Sequence, residues 1–79
     1  MILVKVIVNN KLVYDSKAEV VYVNTIDKGI MALEENCPNY VLKIKDSVNI
    51  ILQNHNKQTF QIKEAIANFN KNKLAIIGE

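Results

Sequence analysis

Few side chains in this sequence could do chemistry, and they are scattered. The one histidine, His55, lies in the polar run Gln53-Asn54-His55-Asn56-Lys57, with no cysteine or acid beside it. An imidazole can serve as base or metal ligand, but these polar neighbours mark a hairpin tip, and His55 reads as a solvated loop residue. The one cysteine, Cys37, has no histidine near it in sequence to activate the thiol. Next to Pro38 it reads as a small apolar filler. A single thiol with a single histidine makes neither an internal disulfide nor a zinc site, and a free thiol suits a reducing compartment. Glu34-Glu35 is an adjacent acidic pair, but general acid–base work needs carboxyls that converge, and neighbours on an extended chain point apart. Gly29 and Gly78 lie too far apart for a phosphate-cradling loop. Tyr14, Tyr22 and Tyr40 fall on separate segments and read as core-edge packing. No catalytic, cofactor-binding or metal-ligating residue is therefore assigned, and no small-molecule ligand is expected.

The charge pattern narrows the class further. Ten basic residues against eight acids give a net charge of +2, and every basic residue is lysine. Arginine supplies the bidentate contacts to phosphate and guanine, and the lysines do not cluster as a phosphate-binding patch would. Nucleic acid is thus not an expected partner. The longest apolar runs, such as Ile50-Ile51-Leu52, fall far below the roughly 18 residues of a membrane-spanning helix. Ile2–Val8 has no basic leader before it and no small-residue cleavage site after it, so no signal peptide is expected.

A chain of 79 residues is one domain, with about 60% of its unfolded surface buried and little room for an enclosed active site beside a core. The dominant hydrophobic period is two, the strand period. Ile2, Val4, Val6 and Val8 alternate with Leu3, Lys5 and Ile7, and the first set is expected inward. Asn9-Asn10 suits a two-residue hairpin turn because Asn tolerates positive φ. Leu12-Val13-Tyr14 returns, and Asp15-Ser16-Lys17 reads as a turn. Residues 18–25 and 30–33 read as strands around the turn Asp27-Lys28-Gly29. After the loop Glu34–Asn39, Leu42 and Ile44 point inward, Asp46-Ser47 turns the chain, and Val48, Ile50 and Leu52 form another inward row. Phe60 and Ile62 are inward beyond the polar hairpin. Glu64–Phe69 is read as a further short strand despite its alanines, and Lys73–Ile77 closes the domain. The expected fold is all-β: a flattened ten-stranded β-sandwich of two mainly antiparallel sheets spanning residues 1–79.

The order of these features resembles the N-terminal β-sandwich domain of the epsilon subunit of F-type, proton-translocating ATP synthase, the mitochondrial delta equivalent. Leu12-Val13-Tyr14-Asp15 matches the family's "val-tyr/phe-asp-gly" return, with Ser16 in place of Gly. Ala18-Glu19-Val20-Val21-Tyr22-Val23-Asn24-Thr25 is similar to its "glu-x-val-x-x-val-x-x-pro-thr" strand. In the segment Lys28 to Pro38, Ile30, Leu33 and Pro38 keep the signature loop, while its "pro-gly-his" is replaced. Leu42 to Ile50 matches "leu-x-pro-gly-x-val-x-ile", and Glu64 to Ile77 is similar to the family's closing strands. The resemblance runs colinearly through essentially the whole chain.

The resemblance implies a non-catalytic subunit of the central stalk. Such a subunit binds the gamma subunit and the ring of c subunits, so that ring rotation driven by proton flow reaches gamma. It lies peripherally on the cytoplasmic face of the bacterial inner membrane, or the matrix face of an organelle, without inserting. The family's ring-facing turn maps onto Asp27, Lys28, Gly29, Ile30 and Met31. The neighbouring loop, Asn36, Cys37, Pro38, Asn39 and Tyr40, is expected near gamma or the ring. In the family a C-terminal helical hairpin brakes ATP hydrolysis; this sequence stops at Gly78-Glu79, so that hairpin and its inhibition are expected to be absent. The alternative is a free-standing β-sandwich adaptor that binds another partner by a surface patch or an edge strand.

Overall fold

A computed structural model describes all 79 residues. The elements are β1 (Ile2–Val8), β2 (Lys11–Ala18), β3 (Val20–Thr25), β4 (Gly29–Glu34), β5 (Tyr40–Ile51), β6 (Lys57–Asn70) and β7 (Lys73–Gly78). They form one seven-stranded sheet in the order β2-β1-β7-β6-β5-β3-β4. All neighbours are antiparallel except β1 and β7, which run parallel. The chain is all-β, as expected. The ten strands in two sheets are corrected to seven strands in one continuous hydrogen-bonded sheet.

The difference has three local causes. Asp46-Ser47 does not end a strand: Asp46 takes a left-handed φ of 69°, yet the backbone goes on pairing with β6 through Asp46↔Ile62 and Ser47↔Gln61. Opposite it, Lys63 has no partner, a one-residue bulge within β6. A one-residue insertion flips every later side chain to the other face. The inward row of β6 accordingly changes from Phe60 and Ile62 to Ala65, Ala67 and Phe69. Asp15-Ser16-Lys17 is not a turn either; these residues pair with Lys5, Val4 and Leu3 of β1.

Chain connectivity forces the long strands to bend. Glu34 and Ile51 both pair with Val20, one on each side of β3, so they lie about 10 Å apart. The chain from Glu34 to Tyr40 can reach at most about 22 Å, whereas a straight β5 would hold its ends about 37 Å apart. β5 must therefore fold, and it does so where Asp46 and Ser47 find no partner on β3. The sheet closes over itself, and the ring of Tyr14 on β2 meets that of Phe60 on β6 edge-on at 6.1 Å, although two strands separate them in the sheet order. Inside lies a single core of 18 buried residues, including Ile2, Val4, Ile44, Val48, Phe69 and Ile76. Val8, Leu52 and Phe60 are only partly buried.

Tight turns complete the body. Asn9 and Asn10 have φ of 53° and 64°, and Lys71 and Asn72 have 50° and 61°. Positive φ at both central residues is the hairpin turn whose twist matches that of the strands. Gly78 solves a different problem. It lies between Val8 of β1 and Ala65 of β6, where a Cβ would collide with the Glu64 carbonyl oxygen and with Ala65.

Candidate docking surface

The reactive side chains stay apart. His55 occupies the tip between β5 and β6, exposed and at a φ of 67°. Cys37 is partly buried against the core, with its Sγ 3.8 Å from the Ala32 carbonyl oxygen. Glu34 and Glu35 are both exposed, and Glu35 accepts a hydrogen bond from the N-terminal amine at 3.1 Å. No group of three His, Cys, Asp or Glu side chains comes together in a way that could hold a metal ion. No helix is long and apolar enough to cross a membrane.

What the fold does present is surface. The first resemblance-derived segment, Asp27 to Met31, spans the β3–β4 turn and the first half of β4. Thr25, 3% exposed, builds that turn: its hydroxyl donates to the Gly29 carbonyl at 2.6 Å and accepts from the Lys28 amide at 2.9 Å. Gly29 has a φ of 75°, a conformation that favours glycine. The backbone amide of Ile26 donates to the Lys43 carbonyl at 3.0 Å, so Asp27 and Lys28 share a shallow cleft with Val41 and Lys43 at the start of β5. Ile30 stands out from its strand at 71% exposed, while Met31 packs partly against the core.

The second segment, Asn36 to Tyr40, carries the chain from β4 to β5. It is tied to the β6–β7 turn: the Asn36 amide donates to Asn72 Oδ1 at 2.8 Å, and the Lys71 amide donates to Asn39 Oδ1 at 3.1 Å. Cys37 and Tyr40 pack partly against the core, so within this segment Asn36, Pro38 and Asn39 are the exposed side chains. The two segments are thus anchored separately. Asp27 and Lys28 lie beside the start of β5, whereas Asn36 and Asn39 are bonded to the β6–β7 turn.

A larger feature lies on the outer face. The registers align Leu12 with Ile7, Ile7 with Ile77, Ile77 with Ile66, and Ile66 with Lys43. This is an unbroken apolar row across β2, β1, β7 and β6. Leu12 is 55% exposed, Ile77 56% and Ile66 44%. Val41 and Ile26 extend the row beside Lys43, at 72% and 51% exposed. The next two rows up the strands are polar and basic. One runs Asp15, Lys5, Ala75, Asn68; the other runs Lys17, Leu3, Lys73, Asn70. Contiguous exposed apolar patches rimmed by polar residues mark interaction sites. Sequence reasoning did not find this row, because it exists only once β1 pairs with β7. Its signal was present as apolar residues at outward positions, Leu3, Ile7, Val41, Ile66 and Ile77, where a half-buried strand carries polar ones.

No protein-family model and no curated protein matches the chain by sequence. Among solved structures, the fold is similar to that of a chain in the cryo-EM structure of Euglena gracilis mitochondrial ATP synthase, OSCP/F1/c-ring, in rotational state 1. The TM-score is 0.88 at 13% sequence identity, over 96% of this chain and 49% of that one. The chain therefore spans about half the length of that neighbour, and at this identity the likeness is one of fold.

Proposed function

We propose that these 79 residues are the all-β portion of an epsilon-type subunit of F-type ATP synthase, a non-catalytic component of the central stalk that couples the c-ring to the gamma subunit. The observation that carries this reading is the match in fold, at a TM-score of 0.88 over 96% of the chain, to a chain of an assembly that contains F1 and the c-ring. The colinear motifs from Leu12 to Ile77 agree with it. So does a surface built for contact: an apolar row from Leu12 to Ile66, rimmed by Lys5, Lys17 and Lys73, suits a partner with an apolar stripe and acidic flanks. The exposed residues of the two segments, Asp27, Lys28, Gly29 and Ile30 in one and Asn36, Pro38 and Asn39 in the other, are the proposed contacts to ring and gamma. Met31, Cys37 and Tyr40 support them from beneath. A closely packed core transmits strain without yielding, which is what a torque-bearing coupling element requires.

The seven strands carry the proposed coupling role. Native gel electrophoresis of detergent-solubilised source membranes, probed for this chain, tests the reading. Comigration with the ATP synthase supports it. Migration apart from the synthase, in a complex with some other protein, favours the adaptor reading.

A further inference from the structure

Lysines that stand apart in the sequence gather in the fold. The parallel pairing of β1 with β7 sets Leu3 opposite Lys73 and Lys5 opposite Ala75. On the other side of β7, Asn70 lies opposite Lys73 and Asn68 opposite Ala75. Lys5 and Lys73 are therefore diagonal neighbours on the outer face, where two long side chains can reach one group between them. Ala75 is the one small side chain among these residues, and its methyl group floors a depression of about 700 Å³ that Lys71 also lines from the β6–β7 turn. The donors around the depression have no partners. The one ion pair in the chain joins the Met1 amine to Glu35. Asp15, the only acid lining the depression, is opposite Lys5 in register and forms none. The side-chain amides of Asn68 and Asn70 take part in none of the side-chain hydrogen bonds. Three ammonium groups and two amides thus ring an apolar floor, with a single carboxylate to balance them.

We propose that this depression is a carboxylate site, which takes an aspartate or glutamate side chain of a protein docked on the apolar row. Convergent cationic and amide donors around one point suit a single anionic group, and the excess of lysine over acid makes the charge complementary to an acidic partner. Ile77 lies two residues from Ala75 on the same face of β7, about 7 Å away. One segment of a partner can therefore set a carboxylate among the lysines and an apolar side chain on the row. The depression is shallow and open, whereas a small-molecule site encloses most of its ligand. An anionic membrane surface would favour aromatic side chains on the docking face, and none of the outward residues of β2, β1 and β7 is aromatic. The inference rests on the apolar row as a docking face and gives the chemistry of what docks there; it does not require that partner to be gamma.

NMR titration of the isotope-labelled full chain with short synthetic peptides tests the proposal. The probe carries a glutamate and a leucine two positions apart in a run of serines, and the control carries glutamine in place of the glutamate. The expected result is a saturable shift of the Lys5, Asn68 and Ala75 amides, with the probe bound about five-fold more tightly than the control. Ala75→Leu fills the depression, keeps every charge and should erase that preference. Lys5→Gln with Lys73→Gln should erase it too. Lys11→Gln with Lys57→Gln removes two exposed lysines elsewhere and should leave it intact. Circular dichroism of each variant should show unchanged folding. Equal binding of probe and control, shifts spread over lysines across the whole surface, or a preference that survives Ala75→Leu would overturn the proposal. So would inorganic phosphate, or vesicles of anionic phospholipid, shifting the same amides at lower concentration than the probe. No gamma subunit enters this experiment, so its failure leaves the proposed function standing, and failure of gamma to bind leaves the carboxylate site standing.

Discussion

The outer apolar row gives the sharpest functional prediction, through the paired replacement Ile66→Thr with Ile77→Thr. These residues sit directly opposite each other on β6 and β7, 44% and 56% exposed. Between them they present about as much apolar surface as one whole isoleucine side chain. Complete burial of such a side chain at an interface is worth about 1.5–3 kcal/mol. Threonine keeps the β-branched shape that suits a strand, and a cross-strand Thr–Thr pair is well tolerated. It forfeits about half of the apolar gain and adds two hydroxyls that cost about 1–3 kcal/mol each if they are buried without partners. Affinity for the docking partner should fall at least about ten-fold, while stability changes by less than about 1 kcal/mol. The assay is isothermal titration of the chain against the gamma subunit, with urea melts of the parent chain and the double variant as the control. Unchanged affinity at unchanged stability would show that this row is not the docking face.

Two further predictions concern what holds that face in shape. Phe69 is 1% exposed in the core, whereas Phe60 is only partly buried and leans edge-on against Tyr14. Phe69→Ala should cost about 3–5 kcal/mol, a large share of the stability of so small a domain. Phe60→Ala should cost clearly less, and equal urea midpoints would contradict the assigned core. Thr25→Val removes both hydrogen bonds that fasten the β3–β4 turn and should cost about 1–2 kcal/mol. Amide exchange at Lys28 should then quicken, and an unchanged rate would show that the hydroxyl does not hold the turn.

The sequence disclosed the all-β class and much of the core, because alternation is a local signal. Ile2, Val4, Val6, Leu42, Ile44, Val48, Ile50 and Ile62 are buried as their period requires. Strand count was less legible. At Lys63 the inward row of β6 changes phase, and Asp46-Ser47 puts turn chemistry into the middle of β5; either signal reads equally as a turn between two strands or a bulge within one. Only pairing across β5 and β6 decides in favour of the bulge. Asp15, Ser16 and Lys17 have turn chemistry, but an edge strand with one face in water carries the same residues, and pairing with β1 overrides their local preference. The hairpin turns at Asn9-Asn10 and Asp27–Gly29 could be read because positive φ selects Asn and Gly. The resemblance marked out the two segments proposed as contacts, but it gave no sign that Cys37, Tyr40 and Met31 would lean on the core. The outward apolar residues Leu3, Ile7, Val41, Ile66 and Ile77 stood in the sequence, but their alignment into one row depends on the β1–β7 pairing, which joins the two ends of the chain and which no local pattern encodes.

Direct binding tests the proposed role as a rotor coupling element best. The tagged chain should be titrated against the gamma subunit of its own organism, and separately against a gamma–c-ring subcomplex. A rotor coupling element should bind gamma saturably, bind the subcomplex more tightly, and lose the added affinity when Ile30 and Lys28 are replaced. Absence of binding to either bait by a folded chain would contradict it and leave the adaptor reading in its place.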